Sequence, residues 1–498
     1  MTPHDKTGAH VADRAAQGNR STLLSQAVRV GCKVLSVLAL ARLLTPADHG
    51  LYAMGASVFL FLFIFRDFGL GAALVQAPTL NATHLTTLFW ANTLLGALFM
   101  GVMLGAAPLV MRFYASPAAG PLLAVMSTAF LCIGLGSVPR TLLSRELRFR
   151  ELNLVETAAA VIGTAAMITA AAAGAGAYAF VIYLLVSETL ITVFAWRVCG
   201  WRPQGHPDWR SLGAIARTGQ DLTRFQALNY VLTQIDLFAV GHLLGAQVLG
   251  LYSRAGQLLA LTNLHVAGPL TQVALSTLSR LGNNAAEFRR QARAGTTMIA
   301  HLVLPPLSVC FALPDEVVRL ALGSQWPQAA PILRWLAVSM GIITATSLSY
   351  SINLAAEQSR RLALSAVVAL PFTLAAVWLG LPHGAAGMAA ALAAANLALV
   401  APRLWWVLRG SPLSVADFLG ALAGPLAVAG ALAAGLAAGR AGALQASGSL
   451  PLRLVAASAG GAATVALLAG AWPRVRAEWR EVRTHLPFAG EVRIPPSV

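Results

Sequence analysis

Charge is scarce in this chain. Only 11% of its 498 residues are Asp, Glu, Lys or Arg, and acids are scarcer still, 19 Asp and Glu against 35 Lys and Arg. A soluble domain carries about 25% charged residues, so a conventional water-exposed surface is excluded. Cysteine is limited to Cys32, Cys132, Cys199 and Cys310, within or beside apolar segments and without paired spacing. That excludes a disulfide framework and a zinc knuckle, and the four read as small core residues. No GxxxxGK[ST] phosphate cradle is present, so no ATPase is built in. No Ser/His/Asp arrangement rises above chance, and an enzyme is not expected. The opening MTPHDKTGAHVADRAAQGNR lacks the apolar core of a signal peptide, so the first helix is expected to stay.

What is present is apolar surface. The chain is 57% hydrophobic, with a mean hydropathy of +0.68, which indicates an integral membrane protein. Apolar stretches at 23–44, 50–66, 85–111, 121–139, 152–173, 177–198, 219–243, 250–278, 294–313, 331–353, 362–381, 385–408, 416–437 and 452–472 make about fourteen candidate helices. Small residues fill runs such as AAMITAAAAGAGA (165–177) and let membrane helices approach closely. The expected fold is therefore all-α and polytopic.

The net charge of +16 is dispersed between spans, so no nucleic-acid partner is expected. Its sidedness is informative. Arg140, Arg145, Arg148 and Arg150 follow the fourth apolar stretch, Arg197, Arg202, Arg210 and Arg217 the sixth, and Arg280, Arg289, Arg290 and Arg293 the eighth. Arg360 and Arg361, Arg403 and Arg409, and the tail arginines 474, 476, 480 and 483 continue the pattern, whereas Arg112, Arg319, Arg440 and Arg453 are isolated on the other side. The positive-inside rule then puts both termini in the cytoplasm. A multi-pass location in a membrane facing the cytoplasm is expected.

Residues 41–54, ARLLTPADHGLYAM, return without a gap as GHLLGAQVLGLYSR at 241–254. The same offset aligns Gln26, Arg29, Lys33 and Ser36 with Gln226, Asn229, Thr233 and Asp236, spaced to share one helix face in each copy. Further on, Arg112 matches Arg319 and Trp196 matches Trp406 at slightly larger offsets. The chain divides into a tail (1–21), a six-helix N-lobe (22–200), a linker (201–217), a six-helix C-lobe (218–410), two extra helices (411–473) and a second tail (474–498). Two parallel repeats of this kind are how transporters build a pathway between halves.

Ionisable groups inside spans are costly and mark functional positions by default. Arg29 and Lys33 lie in the first span, Arg66 and Asp67 at the end of the second, Asp221, Arg224 and Asp236 in the seventh, and Arg254 and His265 in the eighth. Arg29 could snorkel to headgroups, Lys33 is a turn deeper, and Asp221 could pair with Arg224 three residues on. Arg254 could neutralise Asp236 across the hairpin. His265 and His301 read as satisfied interior histidines. The deep groups lean cationic, which suits a phosphate or diphosphate headgroup. Proton or sodium coupling through Asp236 or Asp221 stays open, with no other cofactor expected.

The motifs ARLLTPADHGLYA (41–53), FRDFGLGAALVQ (65–76), SVPRTLLSRELRFRELNLVE (137–156), LGAQVLGLYSRAGQLLAL (244–261), LTQVALSTLSRL (270–281) and LGSQWPQAAPILRWLAV (322–338) together resemble the polysaccharide transport family of bacterial flippases. That family lies within the multidrug, oligosaccharidyl-lipid and polysaccharide exporter superfamily. The resemblance implies a V-shaped, alternating-access transporter that moves an undecaprenyl-diphosphate-linked oligosaccharide repeat unit to the periplasmic leaflet for exopolysaccharide, capsule or O-antigen. It also implies polysaccharide polymerase and chain-length machinery as partners, and Arg29, Lys33, Arg66, Arg224 and Arg254 as diphosphate contacts. Where relatives often carry an acid before FGLG, this chain has Arg66 and Asp67 together. A cation-coupled multidrug exporter would show more acids than bases in its cavity. A membrane glycosyltransferase or ligase would need an external acid such as Asp315 or Glu316.

Overall fold

The computed structural model describes residues 24–475, apart from 67–81, 147, 210–211, 263–266, 281–284, 350–351, 353–358, 410, 446–449 and 474. All regular structure among the described residues is helical. The chain separates into two compact units, residues 1–250 and 251–498.

In the first unit, α1 (Leu24–Leu43) is followed at once by α2 (Pro46–Phe65). The span expected from residue 50 thus starts four residues early, because TPAD closes a capping box rather than a loop. The Asp48 amide donates to the Thr45 hydroxyl at 3.3 Å and the Thr45 amide donates to the Asp48 carboxylate at 3.0 Å. Pro46 at the first helical position forfeits no hydrogen bond. There follow α3 (Ala82–Phe113), the short α4 (Ala119–Ser127), α5 (Ala129–Arg145), α6 (Phe149–Ala172) and α7 (Tyr178–Cys199). Met54, Leu122, Leu123, Met126 and Phe130 are fully buried at its centre, with Phe59 stacked on Phe130 at 4.4 Å. Nearer the repeat motif, Tyr52 stacks on Phe180 at 4.5 Å and His49 contacts the Leu40 carbonyl.

The segment α8 (Leu212–Thr262) is two helices separated by a kink at Gly245, with φ 81° and ψ 178°, and the break falls between the segments expected as spans seven and eight. Residues 46–50 and 246–250, equivalent in the repeat, touch reciprocally within the first unit. A methyl group on Gly50 would fall on the Ala246 carbonyl, and one on Gly250 on the Pro46 carbonyl. Only glycine permits that approach of backbone to backbone.

The second unit continues with α9 (Gly268–Arg280), α10 (Ala285–Ala312), the amphipathic α11 (Pro314–Ala321) and α12 (Ala329–Ala345). Then come α13 (Ser359–Gly380), α14 (Gly384–Leu408), α15 (Val415–Gln445) and α16 (Leu450–Ala471). The last two cross closely where Gly435 and Gly439 of a GxxxG sequence face Gly460 and Ala456, the contact by which membrane helices pack without a hydrophobic driving force. The Thr297 hydroxyl of α10 donates to the Ala421 carbonyl of α15 at 3.0 Å. Eleven helical segments among the described residues are long and apolar enough to cross a membrane.

Candidate functional site

In the first unit Arg29 and Arg140 belong to an ion chain that crosses four helices. Arg29 of α1 donates from one guanidinium nitrogen to Glu156 of α6 at 2.5 Å and from the other to Asn153 at 3.4 Å. Asn153 and Glu156 are three apart, hence on one face of α6. The second oxygen of Glu156 faces Arg140 of α5 at 3.8 Å, and Arg140 reaches Glu188 of α7 at 3.3 Å. These side chains are 19–30% exposed, so the chain is neither sealed in the core nor on an open surface. The apolar segments carrying Glu156 and Glu188 were legible; the pairing of Glu156 with Arg29, 127 residues away, and of Glu188 with Arg140, 48 residues away, was not. Arg140, expected just past the fourth span, belongs to α5, which runs to Arg145.

The other expected site residues are distributed as follows. Lys33 is exposed one turn beyond Arg29 and makes no ion pair with any described residue; the Ser36 hydroxyl returns to its carbonyl at 2.8 Å. Gln26, Gln226 and Asn229 are exposed, and the Thr233 hydroxyl donates to the Asn229 carbonyl at 2.8 Å. Arg66 lies over the Phe63 ring at 4.6 Å, a cation–π contact. The Asp236 carboxylate accepts from the next amide, Leu237, at 2.9 Å. In the second unit Arg254 is 3% exposed and donates to Gln257 at 2.8 Å. Asp67 and His265 lie outside the described residues, as do the side chains of Asp221 and Arg224.

Between α5 and α6, Arg148 donates to Glu151 at 2.5 and 2.9 Å and to Glu146 at 3.3 Å. Those two carboxylates hold the Arg148 guanidinium firmly in its charged form, above its usual value. In the second unit, Asp315 and Glu316 form a clamp on Arg440 of α15, at 2.6 and 2.8 Å. Glu316 is 3% exposed. Asp315, the other arm of the clamp, keeps 59% of its side chain exposed.

Against known proteins, the sequence profile of the family described as "Polysaccharide biosynthesis protein" matches residues 39–331. The lipopolysaccharide biosynthesis protein WzxC of Escherichia coli (strain K12) is 22% identical over 330 residues, covering 66% of this chain and 67% of that protein. The succinoglycan biosynthesis transport protein ExoT of Rhizobium meliloti (strain 1021) is 26% identical over 331 residues, covering 66% of each. The teichuronic acid biosynthesis protein TuaB of Bacillus subtilis (strain 168) is 23% identical over 341 residues, covering 67% of this chain and 69% of that protein. Among solved structures, the lipid II flippase MurJ in an inward closed conformation superposes with a TM-score of 0.69 at 12% identity, over 91% of this chain and 98% of that one. An inward-facing multidrug resistance transporter of the same exporter superfamily gives 0.55 at 15% identity, over 78% of this chain and 93% of that one. The fold is that of this transporter superfamily.

Proposed function

Because the chain belongs to the polysaccharide biosynthesis protein family, we propose that it is a carrier, not a catalyst, that moves a lipid-linked oligosaccharide across the inner membrane for surface or secreted polysaccharide. The substrate is read as an undecaprenyl-diphosphate-linked repeat unit. What supports this is the set of cations held inside membrane-spanning helices: Arg29, Arg140, Lys33 and Arg254. A diphosphate needs its hydration replaced by fixed donors if it is to pass hydrocarbon, and arginine supplies them in a planar fork matched to phosphate.

In this reading both termini are cytoplasmic, the two repeats (22–200 and 218–410) supply the moving scaffold, and the glycan emerges where polymerase and chain-length proteins can receive it. The names of similar proteins support it: the relatives WzxC and ExoT are named for lipopolysaccharide biosynthesis and for succinoglycan biosynthesis transport, and the fold neighbour MurJ for lipid II flipping. The test is reconstitution of the full chain in vesicles with a labelled lipid-linked oligosaccharide. Protein-dependent arrival of label in the outer leaflet is expected, and an unchanged distribution with and without proton and sodium gradients overturns the reading.

A further inference from the structure

We propose that Arg29 and Arg140 form one binding pair for the substrate's two phosphates, and that Glu156 is a built-in stand-in for them, a carboxylate that bridges both guanidinium groups while the carrier is empty. The proposal rests on the transport reading above and assigns to that site two residues, Arg140 and Glu156, that were not among the expected phosphate contacts.

The geometry of Glu156 is that of a bridging anion. One oxygen takes Arg29 at 2.5 Å while the other is turned toward Arg140 at 3.8 Å, so one acid is shared between cations from two different helices. The two ends are not equally held. Charge-assisted N–H···O bonds close to about 2.7–2.9 Å when committed, whereas Arg140 stands at 3.8 Å from Glu156 and 3.3 Å from Glu188. Arg140 is thus the guanidinium with donor capacity to spare, and a second oxygen-rich anion could close on it without first breaking a tight pair. Partial exposure of all four groups leaves an approach for such an anion. Lys33, exposed on the same helix one turn from Arg29, adds a further cation.

Depth favours a lipid-borne phosphate. At 1.5 Å per residue, Arg29 lies about 8 Å from the start of α1, Glu156 about 10 Å from the start of α6 and Glu188 about 16 Å from the end of α7. All three of those helix ends are on the side that the arginine-rich loops mark as cytoplasmic. The chain therefore begins near the headgroup zone of the cytoplasmic leaflet, where a lipid diphosphate already resides, and descends toward the bilayer centre. Two cations and two acids give the empty site no net charge, which lowers the cost of holding it in the membrane. A diphosphate brings more negative charge than one carboxylate and so competes for both guanidinium groups at once.

A mere interhelical clasp and a stand-in anion respond oppositely to the same substitution. Purified full-length protein and its Glu156→Gln variant are titrated with a prenyl diphosphate, the corresponding monophosphate and phosphatidylglycerol, with thermal stability measured in parallel. Glu156→Gln is expected to tighten prenyl diphosphate binding at least tenfold and the monophosphate less. Arg140→Gln is expected to weaken diphosphate binding about tenfold and to abolish the gain when combined with Glu156→Gln. Should Glu156→Gln not fold, Glu188→Gln frees Arg140 alone and is expected to give a smaller tightening. Unchanged or weaker diphosphate binding by a stable Glu156→Gln, or an equal gain for phosphatidylglycerol, overturns the stand-in role. If the unsubstituted protein itself fails to bind any prenyl diphosphate, the transport reading fails instead, so the two failures are separable.

Discussion

Replacing Gly50 by alanine is expected to force apart the two copies of the GLY motif. The added carbon would lie 1.7 Å from the Ala246 carbonyl oxygen, and the equivalent carbon on Gly250 would lie 1.8 Å from the Pro46 oxygen. An ordinary C···O contact needs about 3.3 Å, so each methyl demands roughly 1.5 Å of relief between backbones. No side chain can rotate away, which puts the cost at the upper end of overpacking, about 3 kcal/mol. That shifts a conformational equilibrium by about a hundredfold. Both contacts are relieved by the same parting of segments 46–50 and 246–250. The Gly50→Ala/Gly250→Ala double variant should therefore cost clearly less than the sum of the singles. Thermal unfolding of the three purified variants measures this, with polysaccharide output of cells carrying them as the functional counterpart. Wild-type stability and output from Gly50→Ala, or strictly additive penalties, would refute the reasoning.

Three further outcomes are expected. Arg440→Ala strands Glu316, 3% exposed and held at 2.8 Å, and should destabilise the protein by about 3–5 kcal/mol; Arg440→Leu combined with Glu316→Leu should recover most of the thermal stability. Thr45→Ala removes the cap of α2 and should cost about 1 kcal/mol in the same assay, with the protein still in the membrane. Arg254→Leu keeps volume but deletes the buried donor to Gln257. It should abolish transport of labelled lipid-linked oligosaccharide in vesicles while the folded protein is still recovered; retained transport would remove Arg254 from the pathway.

Much of the fold was legible because membrane helices announce themselves through long apolar runs. The segments at 85–111 and 177–198 correspond to α3 and α7 with shifts of a few residues. Boundaries governed by local polar chemistry were less so: TPADHG looks like a loop by composition, but Thr45 and Asp48 satisfy each other's amides and start α2 inside it. The expected spans at 219–243 and 250–278 meet at a real break, since Gly245 with φ 81° and ψ 178° divides α8 into two helices. For the site, periodicity found Arg29 because a cation in an apolar run stands out. It could not link Arg29 to Glu156, nor Glu156 and Glu188 to Arg140, since helix-to-helix pairing carries no local signal. A lone glutamate in the runs 152–173 and 177–198 was nonetheless a visible anomaly of the same kind.

The reciprocity at the GLY motifs, 50 against 246 and 250 against 46, is the pattern of an isologous interface, in which one surface meets its own copy. In a dimer of identical chains a single base change would alter both contacts together. Here Gly50 and Gly250 have separate codons, so mutation can loosen one half of the seam and leave the other tight. Duplication within one chain thus turns an all-or-none contact into one that heredity can adjust in two steps.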